Sequence, residues 1–162
     1  MDHELIPIGR VRNECKEPSL KHREGDLEMS GAGVTSWDMV SELEVDPRFQ
    51  DALDGVEGFS HIVVVYWTGL RKLERLKVHP AGQQDIPLKG IFSTRSPARP
   101  NPLAITTVEL LEREGNVLRV RGLDAIDGSM LVDLKPYLPI YDIPPRSSIP
   151  QWMEEIMSRF SD

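Results

Sequence analysis

From Phe59 to Thr68 the chain reads Phe-Ser-His-Ile-Val-Val-Val-Tyr-Trp-Thr. β-Branched and aromatic side chains dominate this run, and such residues fit the pleated surface of a sheet. It has almost no polar face, so it predicts a strand buried on both sides. Other elements must therefore wrap around it, and 162 residues suffice for one domain with a sizeable core, taken as residues 1–162. The apolar stretch at 62–67 is far shorter than the roughly 20 residues that a membrane-spanning helix needs.

Further strands are predicted from alternation at 6–12, 40–45 and 130–134. Residues 105–113 and 117–121 flank Glu114-Gly115-Asn116, the signature of a β-hairpin. Asp46-Pro47 reads as a helix cap followed by proline in the first turn, which opens a short helix over 47–53 that stops near Gly55. Residues 13–36, with glycine, serine and charges but little periodicity, read as a long loop. Trp152, Ile156 and Phe160 recur every fourth residue and predict an amphipathic C-terminal helix, capped by Ser148 with Pro150 in its first turn. Strands do not alternate with long helices, which disfavours a doubly wound Rossmann sheet. The expected fold is mainly β: a compact antiparallel β-barrel with short helical additions and a C-terminal helix.

Three stretches carry candidate chemistry. Residues 90–102 hold three prolines with Arg95 and Arg99, and two guanidiniums on a stiff loop suit phosphate, carboxylate or a planar base. A structural corner whose arginines cap carbonyls is the competing reading. Asp124 follows a hairpin strand, whereas Asp127-Gly128 is a turn signal, so Asp127 can simply bond its own turn. Asp133 and Lys135 share one face of an extended segment, where a surface ion pair is the plain expectation. Arg71, Lys72, Arg75 and Lys77 form the main basic cluster, either a solvated face or a patch for RNA phosphates.

The net charge of −7, from 19 Lys+Arg against 26 Asp+Glu, argues against indiscriminate nucleic-acid binding. A single cysteine, Cys15, excludes an intrachain disulfide, and the acidic start has no signal-peptide pattern, so a cytoplasmic protein is expected. The four histidines are scattered, with no metal-ligand spacing and no expected metal, and His61 reads as a core histidine. Gly31-Ala32-Gly33 lacks the third glycine of a dinucleotide-binding turn.

Several motifs together carry a resemblance. They are Pro7-Ile8-Gly9 with Val11-Arg12-Asn13, Gly58-Phe59-Ser60-His61 within 55–67, Phe92-Ser93-Thr94-Arg95-Ser96-Pro97 with Arg99-Pro100-Asn101-Pro102, Leu123-Asp124-Ala125-Ile126-Asp127-Gly128, and Asp133-Leu134-Lys135-Pro136-Tyr137. In this order and over most of its length the chain resembles the TrmO/YaeB-type family of tRNA methyltransferases. It departs from that pattern at Leu103-Ala104, where relatives carry Ile-Gly, and at Trp67-Thr68-Gly69, where the strand often ends in histidine. A Pro-Arg-Gln-type element is not evident in residues 14–36.

The resemblance implies a homodimeric barrel that binds S-adenosyl-L-methionine without a Rossmann fold. The implied reaction is methylation of N6 of N6-threonylcarbamoyladenosine at position 37 of threonine tRNA. The implied cofactor contacts are Gly69, Leu70, Arg95, Leu103, Ala104, Ile105, Arg121, Gly122, Leu123 and Asp124. Asp124 or Asp127 is the expected proton acceptor, with Arg95 beside the cofactor or the threonyl carboxylate. Arg99, Asn101 and Lys135 are expected to contact RNA, and Arg71, Lys72, Arg75 and Lys77 the anticodon stem. Tyr137 or Phe92 would stack on an extruded base, with barrel core the preferred place for Phe92.

Overall fold

The computed structural model describes residues 4–16, 20–23, 26–29, 38–69 and 75–159. Its elements in chain order are β1 (Gly9–Arg12), β2 (Leu20–Arg23), β3 (Asp26–Met29), β4 (Val40–Val45), β5 (His61–Trp67), β6 (Lys77–Val78), β7 (Lys89–Gly90), β8 (Leu103–Glu114), β9 (Val117–Arg121), β10 (Met130–Pro136), α1 (Pro139–Asp142) and α2 (Gln151–Ser158), with short 3₁₀ turns between them. They group into two compact units, one of residues 1–18, 35–73 and 97–137, the other of residues 19–34, 74–96 and 138–162.

The first unit is a closed antiparallel barrel in the order β1-β10-β5-β8-β9-β4. The mainly β, non-Rossmann expectation is borne out. On β5, Ile62, Val64 and Tyr66 enter the core, opposite Val108, Thr106 and Ala104 of β8. Val11, Leu43, Leu118, Val120 and Leu131 are fully buried among them. Each such side chain is worth about 1.5–3 kcal/mol relative to leaving it in water. Val63 on the opposite face is also buried, as the unbroken apolar run predicts.

β8 is long because it serves two partners. Residues 103–109 pair with β5, and residues 109–114 pair with β9, with a bulge between Leu110 and Glu112. On the barrel's outside, cross-strand ion pairs Arg10–Glu44 (2.6 Å), Arg119–Glu112 (3.0 Å) and Arg121–Glu109 (2.9 Å) follow the register. Such exposed pairs add little stability individually. Gly9 lies where β1 crosses close to β4: a Cβ there would collide with the Glu44 carbonyl oxygen. The helix over 47–53 is a 3₁₀ helix (Pro47–Leu53), and the Asp46 side chain accepts from the Arg48 N–H as expected of a cap.

In the second unit, β2 and β3 pair as a hairpin, with Lys21 opposite Glu28 and Arg23 opposite Asp26. This corrects the reading of 13–36 as an unbroken loop, because strands of four residues are too short to show a period in a charged sequence. β6 and β7 form a second small ladder. α2 starts after Pro150, which is extended (φ −70°, ψ 153°), and no side chain caps it, so Ser148 is not the cap. The fixed proline φ and missing N–H suit the last position before the helix. Ile156 is buried, and the Lys89 ammonium sits 5.4 Å from the Trp152 ring centroid. Phe160, the third residue of the apolar stripe, lies outside the described residues.

Candidate functional site

The barrel gathers one group of expected residues beside the segment that leaves β9. Gly122, at φ +90°, turns the chain, and its N–H donates to the Met39 carbonyl at 3.0 Å. A positive φ of this size favours glycine. Leu123 and Ala125 then enter the core, and both are essentially fully buried. Asp124, between them, is exposed.

Asp124 Oδ1 accepts from two hydroxyls, Tyr66 Oη at 2.8 Å and Thr106 Oγ1 at 2.5 Å. Oδ2 has no partner among the described residues. Tyr66 is buried, and burial, reinforced by the Asp124 charge, pushes its phenol far above the usual tyrosine range. It therefore stays protonated and acts as a donor.

Asp127 is committed at both oxygens. Oδ1 accepts from the Asn13 N–H at 3.1 Å, and Oδ2 pairs with Lys16 Nζ at 2.6 Å. The Lys16 ammonium, helped by the Asn13 N–H, holds this carboxyl below the usual carboxylate range. Asn13 also donates from Nδ2 to Ser41 Oγ (3.0 Å) and the Ala125 carbonyl (2.9 Å), and its Oδ1 accepts from the Cys15 N–H. These bonds lock the 125–127 turn against the end of β1. An open cleft of about 1010 Å³ adjoins this turn. Arg12, Lys16 and Arg119 line it together with Glu14, Glu42 and Asp127, so its walls carry both signs equally.

The other expected residues of this unit lie along the strands. Leu103, Ala104 and Ile105 open β8, where Ala104 packs on the core and Ile105 is exposed. Gly69 follows β5 with φ +70° and is exposed. Arg121 ends β9, paired with Glu109. Asn101 is exposed before β8, and Arg99 is half-buried. Lys135 pairs with Asp133 at 2.6 Å, as the plain reading expected. Tyr137 meets His61 edge to face at 6.2 Å, and its N–H donates to the His61 carbonyl. His61 begins β5 and Tyr66 lies near its end, about 16 Å further along the strand. Tyr137 and Lys135 are thus not brought to the Asp124 group.

Two readings are corrected. His61 is exposed, with Nδ1 2.9 Å from Ser60 Oγ, and is not a core histidine, because it precedes the first inward position of β5. Phe92, in the second unit, is 78% exposed instead of buried, because it stands in a 3₁₀ turn whose buried residue is Ile91. Also in that unit, Arg95, Arg75 and Lys77 are exposed. Leu70, Arg71 and Lys72 lie outside the described residues. Among the described residues no group of three His, Cys, Asp or Glu could hold a metal, and no helix is long and apolar enough to cross a membrane.

Sequence reasoning missed Tyr66, Thr106, Asn13 and Lys16 as partners of the two aspartates. Tyr66 and Thr106 read as strand residues, and only the pairing of β5 with β8 brings their hydroxyls together. Asn13 was visible only as part of a motif.

The model of the tRNA-methyltransferase O N-terminal domain matches residues 28–143. A Methanothermobacter thermautotrophicus protein named "Probable S-adenosyl-L-methionine-binding protein" is 44% identical over 137 residues, which cover 85% of this chain and 91% of the relative. An Archaeoglobus fulgidus protein named "S-adenosyl-L-methionine-binding protein" is 39% identical over 138 residues, with the same two coverages of 85% and 91%. The crystal structure of TrmO from Pseudomonas aeruginosa superposes with a TM-score of 0.66 at 26% identity, covering 91% of this chain but 62% of that one. This chain therefore spans less than two thirds of the solved TrmO chain. The aspartate-bearing segment lies inside the matched region, and on these grounds the chain belongs to the TrmO family.

Proposed function

We propose that the chain is an S-adenosyl-L-methionine-dependent methyltransferase acting on N6 of N6-threonylcarbamoyladenosine at position 37 of tRNA, threonine tRNA being the expected species. The names of the archaeal relatives support the cofactor, and the TrmO family supports the tRNA. The observation that carries the mechanism is the Asp124 carboxylate, with one oxygen engaged and the other unpartnered among the described residues.

The residues present fit such a cofactor. The exposed Asp124 carboxylate, with one oxygen unpartnered among the described residues, suits a ligand with a cationic centre. Gly69, the 103–105 stretch and the 121–124 segment would hold it, with Leu70 and Arg95 as further expected contacts. When bound, the cofactor supplies a methyl group already activated on a sulfonium. Methylation of N6 by that group would require the N6 proton to leave. Asp124 Oδ2 accepts that proton, while Asp127, neutralised by Lys16 and hydrogen-bonded at both oxygens, serves as structure. A positioned base is worth about 10²–10⁴-fold. Orientation of the two reactants supplies the larger share, up to roughly 7–11 kcal/mol.

RNA contact is assigned to Arg71, Lys72, Arg75 and Lys77, with Arg99 and Asn101 as further candidates. The mixed-sign cleft beside Asp127 gives a polyanion no net attraction. The protein is taken to work as a cytoplasmic homodimer. Purified protein given labelled cofactor and threonine tRNA carrying the unmethylated nucleoside should place label on that nucleoside. If label goes instead to another RNA or a small molecule, the same fold serves a different substrate. Cofactor binding without any transfer would mark a binding module.

A further inference from the structure

We propose that Tyr66 and Thr106 are positioning residues that fix the Asp124 carboxylate so that Oδ2 alone is left to accept a proton. The proposal rests on the methyl-transfer reading above for the reaction itself, and on geometry for the placement.

Both hydroxyls donate to the same oxygen, at 2.8 and 2.5 Å, from neighbouring strands. Tyr66 stands opposite Ala104, and Thr106 stands opposite Val64, so the donors come from rows two apart on the β5–β8 ladder, with the Val65–Ile105 row between them. Neither can drift. Tyr66 is 3% exposed and belongs to the barrel core, so core packing sets where its hydroxyl lies. Thr106 is β-branched on a paired strand and has few χ1 choices. The backbone of Asp124 is equally held, between the buried Leu123 and Ala125. Two donors on one oxygen, with the main chain clamped, fix the orientation of the carboxylate.

A purely structural account would have the carboxylate there only to satisfy a buried phenol. Packing does not require that phenol. Phenylalanine fills nearly the same space, and Asp124, being exposed, would regain water in place of the lost donor. Thr106 adds a second donor to an oxygen that the phenol already satisfies. The arrangement makes sense when the group being served is Asp124. Tyr66 also remains a donor through the physiological range, because burial and the neighbouring carboxylate keep its proton on.

The test compares Tyr66→Phe, Thr106→Val, Thr106→Ser and the Tyr66→Phe/Thr106→Val pair in the intact protein. For Tyr66→Phe and Thr106→Val, kcat should fall about ten- to hundredfold, the scale on which small misplacements act. KM for cofactor and tRNA should stay within about twofold, and Thr106→Ser should recover the rate. The double variant should be less impaired than the product of the single effects, since both donors serve one oxygen. A second readout needs no turnover. A slowly exchanging phenolic proton should appear by NMR in the unliganded wild type, vanish in Tyr66→Phe and shift in Asp124→Asn. An unchanged kcat, a rise in KM that accounts for the whole loss, or failure of Thr106→Ser to recover would overturn the proposal. Absence of the protected proton would do so independently. If wild-type protein transfers no methyl to tRNA, the functional reading fails instead, and the NMR result still decides the placement.

Discussion

The Asn13 main-chain N–H donates to Asp127 Oδ1 at 3.1 Å across 114 residues of sequence, joining the end of β1 to the turn before β10. The Asn13 side chain extends the link to Ser41, which is 1% exposed, and to the Ala125 carbonyl. Asn13→Ala would strand these partners. A buried group left without its hydrogen bond costs about 1–3 kcal/mol. The expected result is a protein destabilised by about that amount in urea, with an unchanged m-value. Stability equal to wild type would mean that water replaces the amide.

Acid should expose the Lys16–Asp127 pair. The folded Asp127 carboxyl is held below its usual range by Lys16, so it stabilises the fold above the unfolded value, near 3.9. That contribution fades as pH falls through the lower, folded value. Lys16→Ala should therefore lower the thermal midpoint slightly at pH 6 and make no difference once the carboxyl is protonated in both states. Thermal scans from pH 6 to pH 2 check this. The effect is modest, since the Lys16 side chain is 68% exposed.

Tyr66 should resist ionisation. Its phenol is pushed upward first by burial and then by the Asp124 charge. At pH 10, where free tyrosine is about half ionised, its ring resonances should remain those of the neutral form. Asp124→Asn should bring the ionisation down without returning it to the free value, because the burial remains. A Tyr66 that titrates with solvent-exposed phenols would contradict the buried hydrogen-bonded placement.

Gly9 should tolerate no side chain. A Cβ would run into the Glu44 carbonyl oxygen and stand 2.9 Å from the Val45 Cα, both backbone atoms that side-chain rotation cannot move. Gly9→Ala should cost about 1–3 kcal/mol, the range for forcing extra atoms into a packed region. Chemical denaturation measures it directly.

Charge reversal in the basic cluster tests the RNA reading. Arg71→Glu with Lys72→Glu should weaken tRNA binding and flatten its dependence on salt, by roughly 0.7–0.9 in slope for each phosphate no longer neutralised. Cofactor affinity should not change. Unaltered tRNA binding would return those residues to a solvated face.

Much of the barrel could be read from the chain. Val63, Val64 and their neighbours announced a strand buried on both faces, and Glu114-Gly115-Asn116 marked a turn that joins β8 to β9. Asp46-Pro47 gave its helix to the residue. The hairpin of β2 and β3 was hidden because four-residue strands rich in Lys, His, Arg and Glu show no period. At the site, sequence distance concealed what mattered. The Asp127-Gly128 turn signal already set Asp127 apart from Asp124, but either could serve as proton acceptor until partners 58 and 111 residues away separated their roles, Tyr66 for Asp124 and Lys16 for Asp127. Hydroxyls on alternate strand positions give no local signal of a shared acceptor.

β8 changes partner at Glu109, so that one half meets β5 and the other meets β9, and the bulge between Leu110 and Glu112 falls within the β9-paired half. Thr106 lies in the first half, and the Gly115 turn closes the second. A register change in the arm beyond the bulge would therefore leave the residues that pair with β5, Thr106 among them, in their alignment.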